Sequence, residues 1–293
     1  MKAPLFAYSI EYSKKGVFYM GHMEIEGTKI NYEDSLYGEE VLVFVHGFIS
    51  SLICWNPIVS HLSKRFRVIA LDLPGFGDTK ASTEFEYTLA NYGILVNKFI
   101  QSLGVEKAHI IGHSLGGQIA LQAVKNKPDL YDKLFLIAAS AQRKRPPWIA
   151  RLFCYFPLID EAAYQFYFQD ELVNIALKKV LAGGVGLEDE ILQPYIDCCK
   201  KREVVQAVIQ LGKEREDDML DEDIQTILHP TYLLWGREDQ VVPLKEGEFL
   251  HKNMQNSTLA ILEHCGHLPM EEYPIAVLHH IYSFLHPNFL NSE

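Results

Sequence analysis

Short runs of apolar residues alternate along the chain with longer segments in which apolar residues recur every three or four positions. A continuous apolar run of four to seven residues is typical of a strand that is buried on both faces of a sheet. Alternation of such strands with amphipathic helices predicts a mainly parallel sheet with helical crossovers. The predicted strands are residues 41–45, 67–71, 108–111, 133–139, 232–235 and 259–262.

The same patterning predicts the elements around these strands. Residues 23–32 alternate between apolar and polar side chains around Gly27 and Thr28, which predicts an antiparallel hairpin at the edge of the sheet. Helices are predicted at 52–62, 89–103, 244–254 and 275–285, with another directly after Ser114. Together these elements predict a mostly parallel central sheet with helices on both faces.

One long segment interrupts the alternation. Residues 141–228 show helical patterns without an apparent buried strand, and a structureless loop of that length is implausible inside a compact domain. We therefore expect an α/β core formed by residues 1–140 and 229–293, with 141–228 inserted as a helical lid. An acidic stretch within the insertion, residues 214–223, is expected to be solvated.

The insertion is also rich in aromatic residues. They are expected to line an apolar acyl pocket or to form the lid's own core and its seam with the main domain. The residues are Trp148, Phe153, Tyr155, Phe156, Tyr164, Phe166, Tyr167 and Phe168.

Composition and charge exclude several classes of protein. Of the 293 residues, 48% are hydrophobic and 22% are charged, which is typical of a globular protein in water. The formal net charge of −11 argues against a nucleic-acid partner and against an anionic membrane surface, because both require basic residues. No apolar run of about 18 residues is present, so stable membrane insertion is not expected.

The cysteines and the first residues of the sequence give information on the cellular compartment of the protein. The chain has five cysteines, an odd number without a C-x-x-C spacing, and this pattern suits neither a disulfide framework nor a zinc site. The apolar stretch at 4–10 is too short and polar for the core of a signal peptide. These observations favour a cytoplasmic protein with reduced thiols and no bound metal.

The most informative motif is Gly112-His113-Ser114-Leu115-Gly116. A predicted strand runs directly into it and a predicted helix runs directly out of it. G-x-S-x-G between a strand and a helix is the sharp turn that exposes a nucleophilic serine. The glycines are needed because side chains two residues before and after the serine would collide at such a turn. Ser114 is therefore the candidate nucleophile.

A serine hydroxyl needs a base, and the base needs a carboxylate that holds its tautomer. Asp239 follows the predicted strand at 232–235, and His267 follows the one at 259–262, in the order serine, acid, histidine. We assign Asp239 as the orienting acid and His267 as the general base. The alternatives weighed are Glu238 for the acid and His264 for the base.

The reaction also needs donors for a negatively charged oxygen. One backbone N–H is expected from Leu115, which follows the nucleophile. The other is expected from Phe48, in the loop after the strand at 41–45. Each donor of this kind typically lowers the barrier by about 2.7–4 kcal/mol.

With these motifs the chain resembles the α/β-hydrolase superfamily over residues 21–285. The resemblance is closest to the small lid-bearing bacterial serine hydrolases called carboxylesterases, whose lid follows the strand corresponding here to 133–139. Ser114 stands where haloalkane dehalogenases and epoxide hydrolases carry aspartate, and Leu268 stands where C–C hydrolases tend to carry tryptophan. The matching segments are 46–48, 72–77, 112–116, 236–243 and 266–274.

The resemblance implies a serine hydrolase that cleaves carboxylic esters of small or medium apolar acyl compounds, without a metal or organic cofactor. Its expected partner is a small-molecule ester. A C–C hydrolase or a thioesterase with the same triad remains open, as does a slow-turnover receptor that perceives a ligand. The sequence does not decide the oligomeric state.

Overall fold

A computed structural model describes residues 10–13, 16–82, 84–156, 158–166, 180 and 189–287. Its central feature is one sheet, to which nine strands contribute. The strands are β1 (Ile10–Ser13), β2 (Gly16–Ile25), β3 (Thr28–Asp34), β4 (Val41–Val45), β5 (Arg67–Leu71), β6 (Ala108–His113), β7 (Tyr131–Ile137), β8 (Thr231–Gly236) and β9 (Ser257–Leu262).

The strand order across the sheet is β1-β2-β3-β5-β4-β6-β7-β8-β9. From β5 to β9 all neighbouring strands are parallel, whereas β1, β2 and β3 pair in antiparallel fashion at one edge. The carboxyl ends of β4, β6, β8 and β9 therefore lie along the same edge of the sheet, where the loops that follow them can meet.

Helices pack on the sheet and bury its apolar side chains. β4 and β6 are buried along their whole length, as expected of strands covered on both faces. The helices are α1 (Asn56–Leu62), α2 (Leu89–Ser102), α3 (Leu115–Asn126), α4 (Trp148–Phe153), α5 (Ile159–Phe166), α6 (Asp189–Cys199), α7 (Arg202–Glu214), α8 (Asp221–Gln225), α9 (Leu244–Asn253), α10 (Pro269–Glu272) and α11 (Pro274–Leu285).

The six predicted strands and the edge hairpin are confirmed, and the hairpin gains β1 as a third strand. Two details of the prediction were wrong. The predicted helix at 52–62 is a 3₁₀ turn, Leu52–Trp55, followed by α1 with Pro57 in its first turn, where a missing N–H costs least. The strand β9 is only half-buried, because it lies at the open edge of the sheet.

The segment between β7 and β8 contributes α4 to α8. Within residues 141–228, the described part contains helices and no strand. Among the described residues, no helix is long and apolar enough to cross a bilayer.

Candidate active site

Ser114 occupies a sharp turn between β6 and α3. Its backbone has φ 53° and ψ −118°, a conformation that L-residues rarely adopt. The glycines make this turn possible: a side chain at Gly116 would overlap the carbonyl oxygen of Val45, and one at Gly112 would meet the backbone of Gly116. The turn has the geometry that the G-x-S-x-G motif predicts.

His267 and Asp239 meet at the carboxyl ends of β9 and β8. The imidazole Nδ1–H of His267 donates to Asp239 Oδ2 over 2.7 Å, and both side chains are buried. The other carboxylate oxygen of Asp239 accepts from the backbone N–H groups of Val241 and Val242 at 2.8 and 2.9 Å. The aspartate is thus fixed by its own loop and holds the imidazole in one tautomer, with Nε2 left as the proton acceptor.

The two alternative residues, His264 and Glu238, make other contacts. His264 is on the surface with its side chain 86% exposed, and its Nδ1 lies 3.8 Å from Glu238 Oε1. Glu238 Oε2 accepts from the backbone N–H of Cys265, so this carboxylate supports the turn before His267. Neither of these side chains hydrogen-bonds to the His267 or Asp239 side chain.

Two further histidines are buried beside this pair. His113 Nε2 donates to the backbone carbonyl of His267 at 2.8 Å, and the two rings lie 4.7 Å apart. His46 Nε2 accepts from the backbone N–H of Leu73 at 3.0 Å. Burial holds the pKa of His113 well below its usual range and lowers the pKa of His46 to about 4. Both rings are therefore neutral near pH 7 and act as positioning groups rather than bases.

The serine opens into a cavity of about 290 Å³. Phe48 and Leu115, the two predicted oxyanion donors, both line it together with Ser114. A Cβ at Gly47 would stand 2.9 Å from His113 Nδ1 and 3.1 Å from Ser114 Cβ, so only glycine lets this loop approach the serine closely. The remaining lining residues are Ser140, Arg143, Lys144, Pro146, Val208, Leu211, Gly212 and Arg215.

Asp72 anchors the loop that carries Phe48. Its Oδ1 accepts from the backbone N–H of Leu52 at 2.7 Å, while Oδ2 accepts from Asn31 Nδ2 and the backbone N–H of Asp78, both at 2.8 Å. Three donors satisfy a carboxylate that is otherwise buried, so the loops after β4 and β5 are held to each other.

The acidic stretch at 214–223 is not simply solvated, and that expectation was wrong. Asp218 is buried and accepts from Ser140 Oγ at 2.5 Å, from the backbone N–H of Arg143 at 2.9 Å and from the Arg215 guanidinium. Glu216 accepts from two backbone N–H groups in the first turn of α2, both at 2.8 Å. These carboxylates attach the segment after α7 to the rim of the serine cavity and to the core.

Four of the aromatic residues of the insertion lie outside the serine cavity. Trp148, Phe153, Tyr155 and Phe156 are all exposed, so they do not form a buried core of the insertion. Tyr155 and Phe156 line a separate cavity together with Tyr87, which lies outside the insertion. Tyr164 is partly buried on α5, and the side chains of Phe166, Tyr167 and Phe168 lie outside the described residues.

A further carboxylate joins the insertion to the core. Tyr195, on α6, donates through its hydroxyl to Glu271 Oε1 on α10 at 2.6 Å. Burial raises the pKa of Glu271 to about 6 from an ordinary value of 4.5, although the hydrogen bond from Tyr195 opposes the rise. The folded state therefore retains the Glu271 proton over a range in which the unfolded chain loses it.

This shift predicts a pH-dependent effect of Glu271→Gln. As pH rises from 4.5 to about 6, ionisation favours the unfolded chain, so the folded wild type loses stability over that window. The glutamine variant lacks this penalty and keeps an acceptor for Tyr195. We expect it to exceed the wild type by about 1–2 kcal/mol in unfolding free energy at about pH 8, with the difference vanishing below about pH 4.5.

Urea unfolding across that pH range measures the difference. Glu222→Gln, at an exposed position, is the control and should change stability by less than about 0.5 kcal/mol at every pH. A Glu271→Gln effect that does not vary with pH would contradict the assignment.

No three histidine, cysteine or acidic side chains among the described residues are grouped so that they could hold a metal ion. All five cysteines are unpaired.

Comparison with known proteins agrees with this architecture. Residues 40–274 match the sequence model of the alpha/beta hydrolase fold. The chain is 32% identical over 266 residues to the hydrolase YugF of Bacillus subtilis, an alignment that covers 89% of this chain and 96% of YugF. The chain therefore belongs to the α/β-hydrolase family and is a hydrolase.

More distant relatives carry different activities. The monoacylglycerol lipase ABHD6 of Mus musculus is 25% identical over 258 residues, which cover 83% of this chain and 75% of the lipase. The crystal structure of a membrane phospholipase A, a bacterial virulence factor, superposes with a TM-score of 0.76 at 25% identity, covering 92% of this chain and 86% of that one. These proteins share the fold with this chain, but a shared fold does not determine which substrate this chain hydrolyses.

Proposed function

We propose that this protein hydrolyses carboxylic esters of small or medium apolar acyl compounds through an acyl-enzyme intermediate. The observation that carries the proposal is the buried 2.7 Å hydrogen bond from His267 to Asp239 at the carboxyl ends of β9 and β8, beside the strained turn that presents Ser114. A serine on such a turn, with an oriented imidazole nearby, is the arrangement that nucleophilic acyl transfer requires.

In the proposed first step, Ser114 Oγ attacks the ester carbonyl while His267 Nε2 takes the hydroxyl proton. The carbonyl oxygen becomes an oxyanion, which the backbone N–H groups of Phe48 and Leu115 bind. Asp239 stabilises the imidazolium that forms. Collapse of the tetrahedral intermediate breaks the bond to the alcohol oxygen, and His267 returns the proton to the departing alcohol.

In the second step, a water molecule attacks the acyl-enzyme after the alcohol has left. His267 Nε2 takes a proton from the water as its oxygen attacks the acyl carbonyl, and the same donors bind the second oxyanion. Breakdown releases the carboxylic acid and returns the proton to Ser114 Oγ. Every proton transfer in this scheme uses side chains that the chain itself supplies.

We further propose that residues 141–228 act as the lid of this site, above a core formed by 1–140 and 229–293. Support comes from the lining of the serine cavity, to which Pro146, Val208 and Leu211 contribute from the insertion. These apolar side chains fit an acyl group, and a cavity of about 290 Å³ favours a short chain.

Turnover distinguishes an esterase from a ligand-perceiving protein. We expect many turnovers per molecule on short p-nitrophenyl esters without any added protein, because His267 can serve as the base for water in the second step as it does for Ser114 in the first. Stopped-flow release of p-nitrophenol measures the burst and the steady state. A burst of one equivalent with almost no further release would favour the receptor class instead.

The same type of assay determines which kind of bond the protein cleaves. Matched oxygen esters and thioesters of one acyl chain, together with a vinylogous diketone, should be compared at equal concentration. We expect the largest kcat/KM for the oxygen ester. Preference for the diketone would move the proposal to C–C hydrolysis.

A further inference from the structure

The insertion exposes an unusual number of large apolar side chains. Trp148 is 72% exposed and Leu158 is 77% exposed. Such a concentration of exposed apolar surface is rare on a protein that meets only water, and it marks a site of contact with another phase or molecule. The seven side chains, named here the exposed lid face, are Trp148, Ile149, Leu152, Phe153, Tyr155, Phe156 and Leu158.

Contacts with α7 hold the exposed lid face in place. Arg151 lies on α4, the helix that carries Trp148 to Phe153, and its guanidinium Nε donates to the carbonyl of Lys213 on α7, 2.9 Å away. The rings of Phe153 and Phe156 stack with centroids 5.8 Å apart, and the ammonium of Lys213 lies 5.2 Å from the ring centroid of Tyr155. The apolar side chains of α4 are thus directed outward while its cation is directed inward.

The charge of this region is opposite to that of the whole chain, so an anionic membrane surface, which the net charge disfavours, is compatible with this part of the chain. Residues 143–158 include four cations, Arg143, Lys144, Arg145 and Arg151, and no acidic residue, in a chain whose formal net charge is −11. Two acidic residues face this segment. The carboxylate of Asp217 lies 3.7 Å from Lys144 Nζ and accepts from the backbone N–H of Arg145, and Asp218 accepts from the backbone N–H of Arg143. The Lys144 side chain is 77% exposed, so its charge is available at the surface.

We propose that the exposed lid face docks on the surface of an anionic lipid bilayer. Aromatic and aliphatic side chains next to basic residues are the composition with which peripheral proteins enter the headgroup region. A second copy of the chain fits less well, because a two-fold contact through this face would bring the exposed Lys144 and Arg145 of both copies near each other. The proposal goes beyond ester hydrolysis and does not depend on it.

Docking would place the serine cavity at the lipid surface. Lys144 and Pro146, which precede α4, line the cavity into which Ser114 opens. An amphiphilic ester could therefore pass from the bilayer to the nucleophile without crossing bulk water.

Tryptophan fluorescence tests this docking directly. Of the three tryptophans, Trp55 and Trp235 are fully buried, so a change in environment on binding is reported by Trp148. With the full chain carrying Ser114→Ala, titration with mixed phosphatidylcholine–phosphatidylglycerol vesicles should shift the emission to shorter wavelength. Trp148→Phe should abolish the shift while vesicle co-sedimentation persists.

Variants separate the apolar and electrostatic contributions. Leu152→Ser combined with Phe153→Ser should weaken co-sedimentation by about tenfold or more, because both side chains enter the interface. Lys144→Gln should weaken it by about fivefold on anionic vesicles and have little effect on pure phosphatidylcholine. Ile275→Ser, at an apolar position that is 82% exposed on α11, is the matched control and should bind as the parent does.

Three outcomes would overturn the proposal. They are the absence of binding to anionic vesicles, equal weakening by Ile275→Ser, and a Trp148 shift that depends on protein concentration without lipid. The last would assign the face to a second copy. Because these measurements use a protein without the nucleophile, failure of the proposed esterase activity would leave them unaffected.

Discussion

Replacing Ser114 with alanine is expected to leave a folded protein that has lost ester hydrolysis by about six orders of magnitude in kcat. The substitution removes the atom that forms the acyl-enzyme, and water in its place would attack without a pre-positioned nucleophile. Alanine is small enough to fit the turn, and removing the hydroxyl leaves the hydrogen bond between His267 and Asp239 intact. Release of p-nitrophenol from a short-chain ester measures the loss.

Ser102→Ala is the control for this experiment. Ser102 is an exposed serine at the end of α2; it does not line the serine cavity, and its hydroxyl donates to the carbonyl of Lys98. It should keep the wild-type rate. Activity of Ser114→Ala within tenfold of the wild type would show that another group is the nucleophile.

The second large effect is expected from the histidines. His267→Ala should reduce kcat by about four to six orders of magnitude, because it removes the base proposed to take the serine proton. His264→Ala should retain most of the activity, since that imidazole is on the surface beside Glu238. The two residues are three positions apart, so the pair of variants provides its own control. The reverse pattern would mean that the base is His264.

Most of the core was predictable because its signals are local. A short apolar run such as 41–45 is typical of a strand covered on both faces, and the structure forms β4 there. The G-x-S-x-G pentapeptide predicts its own turn, which the positive φ of Ser114 reproduces. The roles of Ser114, Asp239, His267, Phe48 and Leu115 in catalysis stay predictions.

The insertion was less predictable because its contacts are distant along the chain. Asp218 accepts a hydrogen bond from Ser140, which lies 78 residues earlier in the chain. No local pattern shows which acidic residue of a charged stretch will accept such a bond. Tyr195 bonds Glu271 across 76 residues, and burial there changes the pKa of the carboxyl group. Helical patterns were predicted across 141–228 as a whole, but spacing alone does not tell whether a neighbour covers the apolar side of a helix such as α4.

The contact made by His113 was also not predictable from the sequence, because its partner is distant along the chain. His113 lies within the G-x-S-x-G motif, and its ring donates to the carbonyl of His267 across 154 residues. This contact positions the backbone of the proposed base, and it became visible only when β6 and the loop after β9 were placed side by side.

Covalent labelling of the nucleophile tests the central claim most directly. A fluorophosphonate reacts with a serine only where a base activates the hydroxyl and an oxyanion site receives the phosphoryl oxygen. After incubation with the wild type, peptide mapping should locate a single adduct on Ser114, and Ser114→Ala and His267→Ala should remain unlabelled. An adduct on another residue, or an unmodified Ser114 in a folded wild-type protein, would contradict the account.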